Sequence, residues 1–217
     1  VLANIYMHNV LTLWFQYIIA KECKGECFLV VYADDFIAGF QYPWEAERFY
    51  EQLRSRMVKF GLELEENKSR IVESGRYLAS LKAKRGESTR LGTFDFLGFT
   101  FYCGRTTKGN PWIMPKTSSK KFRQKVKEIK IWLYNNKEQK PGKLMYMLNV
   151  KLVGHYRYYG ISFNSRMISN YKQQVRELLY KVLNRRSEKK SYTREGFIEM
   201  MKYYKLVNPK IYYSLFC

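Results

Sequence analysis

The sequence contains few histidines, cysteines and prolines and lacks a long apolar run. Its 217 residues include two histidines, four cysteines and five prolines, and the cysteines are too few and too scattered for a disulfide framework. Cys23 and Cys27 have a spacing that could suit zinc, but no second pair of ligands follows, so we expect no zinc site. The longest unbroken apolar run is 27–33, far short of the roughly 18 residues that a membrane span requires. We therefore expect a protein of the reducing cytoplasm with no membrane partner.

Acidic residues are scarce in the second half of the chain. Residues 1–100 contain 13 basic and 13 acidic side chains, whereas the remainder contains 26 and 6, so the entire net charge of +20 lies beyond residue 100. This imbalance is too large for an ordinary mixed surface. A membrane surface fits less well than nucleic acid, because the basic segments also carry Tyr and Trp in patterns suited to packing or base stacking. We predict a nucleic-acid partner, whose phosphates would exchange their counterions for Lys and Arg.

The first hundred residues alternate between helical and strand patterns with connections too short for repeated βαβ crossovers, which predicts an α+β fold with an antiparallel sheet. Apolar residues surround most of the first helix, so we expect it to be largely buried. Gly61 supplies a helix stop. The predicted elements are a helix over 3–21, strands over 27–33 and 36–40, a helix over 44–60, and strands over 62–66, 70–73 and 94–102.

Glycines and prolines over 103–117 predict a linker, after which helical spacing dominates. Ser118 or Ser119 can cap a helix whose apolar stripe includes Phe122 and Leu133. Together the helices predict a compact basic bundle. Further helices are predicted after Pro141, after Asn164-Ser165 and after Thr193.

Asp34 and Asp35 lie between two apolar strands, where they predict a tight hairpin. Aspartates are common in turns, so the pair could serve only to form the turn. Alternatively, the hairpin tip presents carboxylates to Mg²⁺, which prefers one or two of them together with substrate phosphates. Two such ions promote in-line displacement by a 3′-hydroxyl. Because neighbouring strand residues point to opposite sides, the two aspartates are not expected to be equivalent ligands.

Residues 32–35, Tyr-Ala-Asp-Asp, resemble the YxDD box of reverse transcriptases, in the Ala variant common in group II intron proteins. No single motif is specific for this family, but five motifs in the right order are. Residues 1–11 resemble the block that follows the family's PQGG stretch, 61–64 and 67–70 the next palm motif, 94–99 the primer-grip block, and 154–165 and 178–197 the thumb, or maturase (X), domain of bacterial group II intron reverse transcriptases.

This resemblance implies an RNA-directed DNA polymerase and intron-splicing maturase. It implies a partial palm over 1–102, a linker over 103–117 and a thumb or maturase domain over 118–217, an α+β palm followed by an all-α basic bundle. The implied cofactor is Mg²⁺. The implied partners are group II intron RNA, an RNA template with a DNA primer, and deoxynucleoside triphosphates; the oligomeric state stays open.

The resemblance also implies roles for individual residues. Asp34 would be the catalytic metal ligand and Asp35 a more peripheral carboxylate. Lys68 falls at a position proposed to assist the leaving pyrophosphate, although it could equally be a solvated lysine. Residues expected beside the primer end and incoming nucleotide are Tyr32 and Ala33, and those expected to support the primer backbone are Phe96, Leu97 and Gly98.

Basic and aromatic residues of the second half supply candidate contacts to RNA, because Arg pairs with phosphate and Tyr stacks on unpaired bases. Tyr171 and Tyr180 lie on an apolar stripe and are expected to pack in the core instead. The candidate RNA-binding residues are Lys120, Lys121, Arg123, Lys127, Tyr156, Arg157, Tyr158, Arg185, Arg186, Lys189, Lys190 and Arg194.

Several family features are expected upstream of Val1: the first catalytic aspartate, the PQGG segment and the fingers. We therefore expect this chain to be the C-terminal part of a longer polymerase and to be inactive alone. We also expect no endonuclease domain in the printed sequence, since no zinc-ligand or HNH-like segment follows the thumb-like region.

Two alternative functions stay open. One is a non-catalytic RNA-binding splicing module that needs the basic bundle but not Asp34, and the other is a retron-type or other bacterial reverse transcriptase.

Overall fold

The computed structural model describes residues 2–65, 68–87, 91–184 and 192–215. The chain forms two compact units, one of Val1–Gly75 with Arg90–Gly92 and one of Arg76–Thr89 with Thr93–Cys217. Each unit contains helices and one small antiparallel sheet. The predicted α+β fold is confirmed.

The first unit begins with a helical segment that is interrupted by two π-helical turns. It comprises α1 (Leu2–Met7), π-turns at His8–Thr12 and Phe15–Ile19, and α2 (Ala20–Glu22). One face is buried against the rest of the unit. The other face is open, with Leu2 82% and Tyr17 58% exposed, so the prediction of a largely buried helix was wrong. The reason is that the core of this unit covers a single face of the helix. The buried residues are Val10, Leu11, Trp14, Phe15 and Ile19.

Strands β1 (Cys27–Tyr32) and β2 (Asp35–Phe40) form the predicted hairpin, with Cys27 opposite Phe40 and Tyr32 opposite Asp35. Helix α3 (Pro43–Lys59) follows and packs Phe49, Leu53 and Met57 into the same core. Gly61, at φ +67°, ends the helix as predicted because glycine tolerates that left-handed conformation.

The strands predicted over 62–66 and 70–73 do not form in the described residues 62–65 and 70–73. The chain turns between them instead, where the amides of Lys68 and Ser69 both donate to the Glu65 carbonyl at 2.9 Å. An extended segment becomes a strand only when a neighbouring strand completes its hydrogen-bond ladder. In the described residues the sheet of this unit consists of β1 and β2, so neither segment has a strand beside it to pair with.

The second unit contains helix α4 (Arg76–Lys84), which the sequence did not predict, and a three-stranded sheet of β3 (Phe94–Phe96), β4 (Phe99–Arg105) and β5 (Pro111–Thr117). The single strand predicted over 94–102 and the linker predicted over 103–117 were both wrong. Leu97 and Gly98, at φ +49° and +78°, form a two-residue turn between β3 and β4. The supposed linker forms the rest of β4 and an edge strand, where prolines are tolerated.

Four helices complete the second unit: α5 (Ser119–Asn135), α6 (Pro141–Tyr159), α7 (Ser165–Leu183) and α8 (Arg194–Tyr203). The predicted caps are present at Ser118, whose hydroxyl accepts from the Lys121 amide at 3.3 Å, and at Thr193, whose hydroxyl accepts from the Gly196 amide at 3.1 Å. The helices and β4 share one core. Its fully buried members include Leu133, Leu148, Leu152, Val175 and Leu179. No helix of the described ranges is long and apolar enough to cross a membrane.

Candidate active site and nucleic-acid interface

The β1–β2 hairpin places both aspartates at its exposed tip. Ala33 adopts a left-handed conformation, at φ +55°, and forms the turn with Asp34, while Asp35 is the first residue of β2 and pairs with Tyr32. Tyr32, Ala33, Asp34 and Asp35 are all exposed. The two carboxylates thus differ in backbone position, one in the turn and one in the ladder. That they are not equivalent as metal ligands stays a prediction.

The charges of Asp34 and Asp35 act on the Lys68 side chain. Its ammonium group is 2.5 Å from a carboxylate oxygen of Glu65. That hydrogen bond and the charge of Glu65 raise the pKa of Lys68, and the charges of Asp35 and Asp34 add smaller contributions in the same direction. The three residues predicted to be catalytic thus lie in the first unit, where Lys68 is paired with Glu65.

The donor set at the tip fits a magnesium ion that is completed by substrate. No cluster of three or more His, Cys, Asp or Glu side chains that could hold a metal occurs in the described part of the chain. Mg²⁺ needs no such cage, because it retains waters and binds through one or two carboxylates together with substrate phosphates. Asp34 and Asp35 could supply those carboxylates.

A groove of about 380 Å³ lies beside the hairpin tip, between the first helical segment and β1. Its helical wall is mostly polar and its strand wall is apolar, with Ala33 at the end nearest Asp34. Sequence reasoning missed the helical wall, although Asn4, His8 and Thr12 recur at i, i+4 and i+8 on one face of the helix. The lining residues are Asn4, Met7, His8, Thr12, Leu29, Val31 and Ala33.

The turn predicted to support a primer lies in the second unit, at Leu97 and Gly98. Phe96, Leu97 and Gly98 are all half-buried. The Leu97 carbonyl accepts a hydrogen bond from the Tyr158 hydroxyl at 2.8 Å, and the Gly98 carbonyl accepts one from the Ser118 amide at 3.0 Å. Helix α6 and the start of α5 therefore hold this turn.

Helix α5 presents to solvent four of the six cations that were predicted to bind RNA and lie in the described residues. Lys120, Lys121, Arg123 and Lys127 are exposed. Lys120, Arg123 and Lys127 are spaced i, i+3 and i+7, which places them on one face of the helix. Such a row of cations can follow successive phosphates of a nucleic-acid strand.

The remaining RNA-binding predictions divide into three groups. Arg157, Tyr158 and Arg194 are exposed, and the Arg194 guanidinium lies 5.4 Å from the centre of the Tyr180 ring. Tyr156 was predicted wrongly, because it is 0% exposed and lies on the α6 face that packs in the core. Its hydroxyl has no hydrogen-bond partner in the described structure, and burial raises its pKa. The predictions for Arg185, Arg186, Lys189 and Lys190 lie outside the described residues.

The two tyrosines expected in the core differ in burial. Tyr171 is 4% exposed, and its ring stacks on the buried His155 with centroids 3.7 Å apart. Burial raises the pKa of Tyr171 and lowers that of His155 to about 4. Tyr180 is partly buried at the edge of the same core.

Comparison with protein families gives matches in both halves of the chain. The family model for "Reverse transcriptase (RNA-dependent DNA polymerase)" matches residues 1–101. The model for "Group II intron, maturase-specific domain" matches residues 119–204. Comparisons with curated proteins and with solved structures gave no match.

Proposed function

The chain belongs to the group II intron-encoded reverse transcriptases and maturases, and we propose that Asp34 and Asp35 contribute to the magnesium site at which the full-length protein extends a DNA primer on an RNA template. The supporting observation is the β1–β2 hairpin, which exposes both carboxylates at a tip whose field reaches Lys68. Exposed carboxylates of this kind can bind magnesium together with substrate phosphates.

Each residue at the tip has a proposed task. Asp34 and Asp35 would hold magnesium, which when bound activates the primer 3′-hydroxyl and stabilises the departing pyrophosphate. Lys68 would leave Glu65 and place its positive charge near the leaving phosphates. Tyr32 and Ala33 would lie beside the primer end and the incoming deoxynucleoside triphosphate, and the small Ala33 side chain leaves space there.

The second unit would hold the nucleic acid. Leu97 and Gly98 would support the primer backbone together with Phe96, and the exposed cations of α5 would bind phosphates of the template–primer duplex or of intron RNA. Arg157 and Arg194, which are also exposed, would extend this surface. We propose a palm over 1–102 and a thumb or maturase domain over 118–217, joined through the β4–β5 hairpin rather than a flexible linker.

A splicing function is the second proposal, because the maturase-specific match covers the helices that carry the excess positive charge. Splicing assistance requires RNA binding but no nucleotide addition. Asp34→Ala in the full-length protein should therefore abolish cDNA synthesis and leave intron splicing within about twofold of wild type.

The same variant separates the two activities from a general folding defect. Glu47→Ala is the matched control, since Glu47 is also an exposed acidic residue of the first unit but lies on α3 and is assigned to no site. Loss of splicing together with cDNA synthesis in Asp34→Ala, but not in the control, would contradict a role limited to polymerisation. Undiminished cDNA synthesis in Asp34→Ala would exclude the proposed metal site.

A further inference from the structure

The Leu97–Gly98 turn has a backbone conformation that leucine rarely adopts. Leu97 has φ +49° and Gly98 has φ +78°, values typical of a type I′ hairpin turn, which usually contains Asn or Gly at both positions. A side chain at the first position is disfavoured in the left-handed region. Contacts from outside the hairpin must therefore help to hold the turn.

Those contacts come from α5, α6 and the cap of α5. The Tyr158 hydroxyl donates to the Leu97 carbonyl at 2.8 Å, and the Ser118 amide donates to the Gly98 carbonyl at 3.0 Å. The turn also packs closely: a Cβ atom on Gly98 would lie 3.1 Å from the Tyr159 hydroxyl and 3.6 Å from Lys121 Cγ. Both carbonyl groups of the turn are thus bound by neighbouring elements.

Tyr158 is fixed at both ends of its side chain. Its ring stacks on Phe99, the residue that follows the turn, with centroids 5.9 Å apart and planes 13° apart. Its hydroxyl is bonded to Leu97 even though the side chain is 53% exposed. An exposed tyrosine that served only as a stacking surface for RNA bases would not need its hydroxyl engaged by a backbone carbonyl.

The bonded carbonyls change what the turn can offer to an anion. A free carbonyl oxygen carries partial negative charge and repels phosphate, whereas an amide N–H attracts it. With both carbonyls occupied, the turn retains the N–H groups of Leu97 and Gly98, which have no hydrogen-bond partner within the described ranges.

We propose that Tyr158 is a positioning residue for the primer: its hydroxyl holds the Leu97 carbonyl and so fixes the turn that supports the primer backbone. This inference rests on the proposed function of Leu97 and Gly98. It replaces the sequence-based prediction that Tyr158 acts mainly by direct contact with RNA.

Tyr158→Phe tests the inference because it removes the hydroxyl and keeps the ring that stacks on Phe99. The matched control is Tyr146→Phe, since Tyr146 lies on the same helix, is 72% exposed and is not assigned to the site. The first measurement is hydrogen–deuterium exchange of peptides that cover 94–101. We expect exchange there to rise about 2- to 12-fold in Tyr158→Phe, the range for losing one hydrogen bond, and to stay unchanged in Tyr146→Phe.

The second measurement is single-turnover primer extension by the full-length protein at saturating template–primer, with the Kd for template–primer measured separately. A less firmly held turn misplaces the primer end, so the extension rate should fall about 2- to 12-fold. The Kd should change less than about twofold because no direct RNA contact is lost.

The outcomes separate this inference from the proposed function. A raised Kd with an unchanged extension rate would indicate direct RNA contact and overturn the positioning role. Unchanged exchange over 94–101 would overturn it whatever the activity. If wild-type protein failed to extend primers, the proposed polymerase function would be wrong. Raised exchange in Tyr158→Phe would still show that the Tyr158 hydroxyl stabilises the Leu97–Gly98 turn.

Discussion

Asn164→Ala should destabilise the second unit by about 1–3 kcal/mol. Asn164 immediately precedes α7 and is 0% exposed. Its side-chain oxygen accepts from the Thr117 amide at 2.8 Å, and its side-chain nitrogen donates to the Thr117 hydroxyl at 2.9 Å and to the Tyr159 carbonyl at 2.8 Å. One buried amide therefore joins the end of β5, the end of α6 and the start of α7.

The magnitude follows from the group left without a partner. Alanine would strand the buried Thr117 N–H, whereas the Tyr159 carbonyl would keep the hydrogen bond that it accepts from the Ile161 amide at 2.9 Å. One unsatisfied buried group costs about 1–3 kcal/mol, so we expect a loss of that size out of the roughly 5–15 kcal/mol that stabilises a typical domain. Asn170→Ala, at an exposed position of the same helix, should change stability by less than about 0.5 kcal/mol.

Urea unfolding followed by the helical circular dichroism signal measures both variants. The midpoint should fall with an unchanged slope, because the surface exposed on unfolding stays the same. Combining Asn164→Ala with Thr117→Val should cost less than the sum of the single changes, since the two residues share a hydrogen bond. A loss below about 1 kcal/mol for Asn164→Ala would refute the assignment of this residue as a buried junction.

Two further predictions concern pH and salt. Burial lowers the pKa of His155 from 6.5 to about 4, so the unfolded chain binds the proton more tightly than the folded chain. In urea titrations, stability should be full above pH 6.5 and should decline as the pH falls toward 4, with up to about 3 kcal/mol of the decline due to His155. His155→Leu should remove that part and leave the part due to carboxylates such as Glu128. Changing Lys120, Arg123 and Lys127 together to Gln should lower the slope of log K against log salt for RNA binding by about 2–3, because each phosphate contact contributes about 0.7–0.9. A slope equal to wild type would show that α5 does not contact RNA. The charge-matched control is Lys21, Lys24 and Lys59 changed together to Gln.

The hairpin that carries the aspartates was predictable because its signal is local. Two β-rich apolar runs with two polar residues between them favour one arrangement, and Tyr32 opposite Asp35 follows from it. The structure shifted the turn by one residue, to Ala33 and Asp34. Sequence spacing could not indicate that shift, because alanine in a left-handed conformation is uncommon.

The β4–β5 hairpin was missed because its residues resemble a loop. Pro111 and Pro115 interrupt a strand pattern, yet an edge strand tolerates proline on the side without a partner. The Leu97–Gly98 turn was missed for a related reason, since only Gly98 has a sequence typical of a left-handed turn. In both places tertiary context decided the structure.

The burial of Tyr156 could have been predicted from the spacing of apolar residues along α6. Leu148, Leu152, Tyr156 and Tyr159 follow one another by four, four and three residues, which is the spacing of a single helical face. All four are buried, whereas Arg157 and Tyr158 are exposed. The charge and aromatic content of residues 156–159 drew attention from this periodicity.

Asn164 was identified from sequence as a helix start, and it does occupy that position. Its side chain does not cap α7, however, and bonds to Thr117 and Tyr159 instead. No local pattern predicts partners 47 residues away. Long-range polar contacts of this kind are visible only in the folded chain.

Single-nucleotide addition by the full-length protein tests the central claim, that the hairpin tip is the polymerase metal site, most directly. Asp34→Asn keeps the size of the side chain and removes one negative charge at the tip, and Glu47→Gln, at an exposed position of α3, is the control. We predict that the single-turnover rate falls at least about 100-fold in Asp34→Asn, a loss of about 2.7 kcal/mol of transition-state stabilisation, and stays near wild type in Glu47→Gln. An Asp34→Asn rate within about threefold of wild type would contradict the account, because the carboxylate would then serve only the turn.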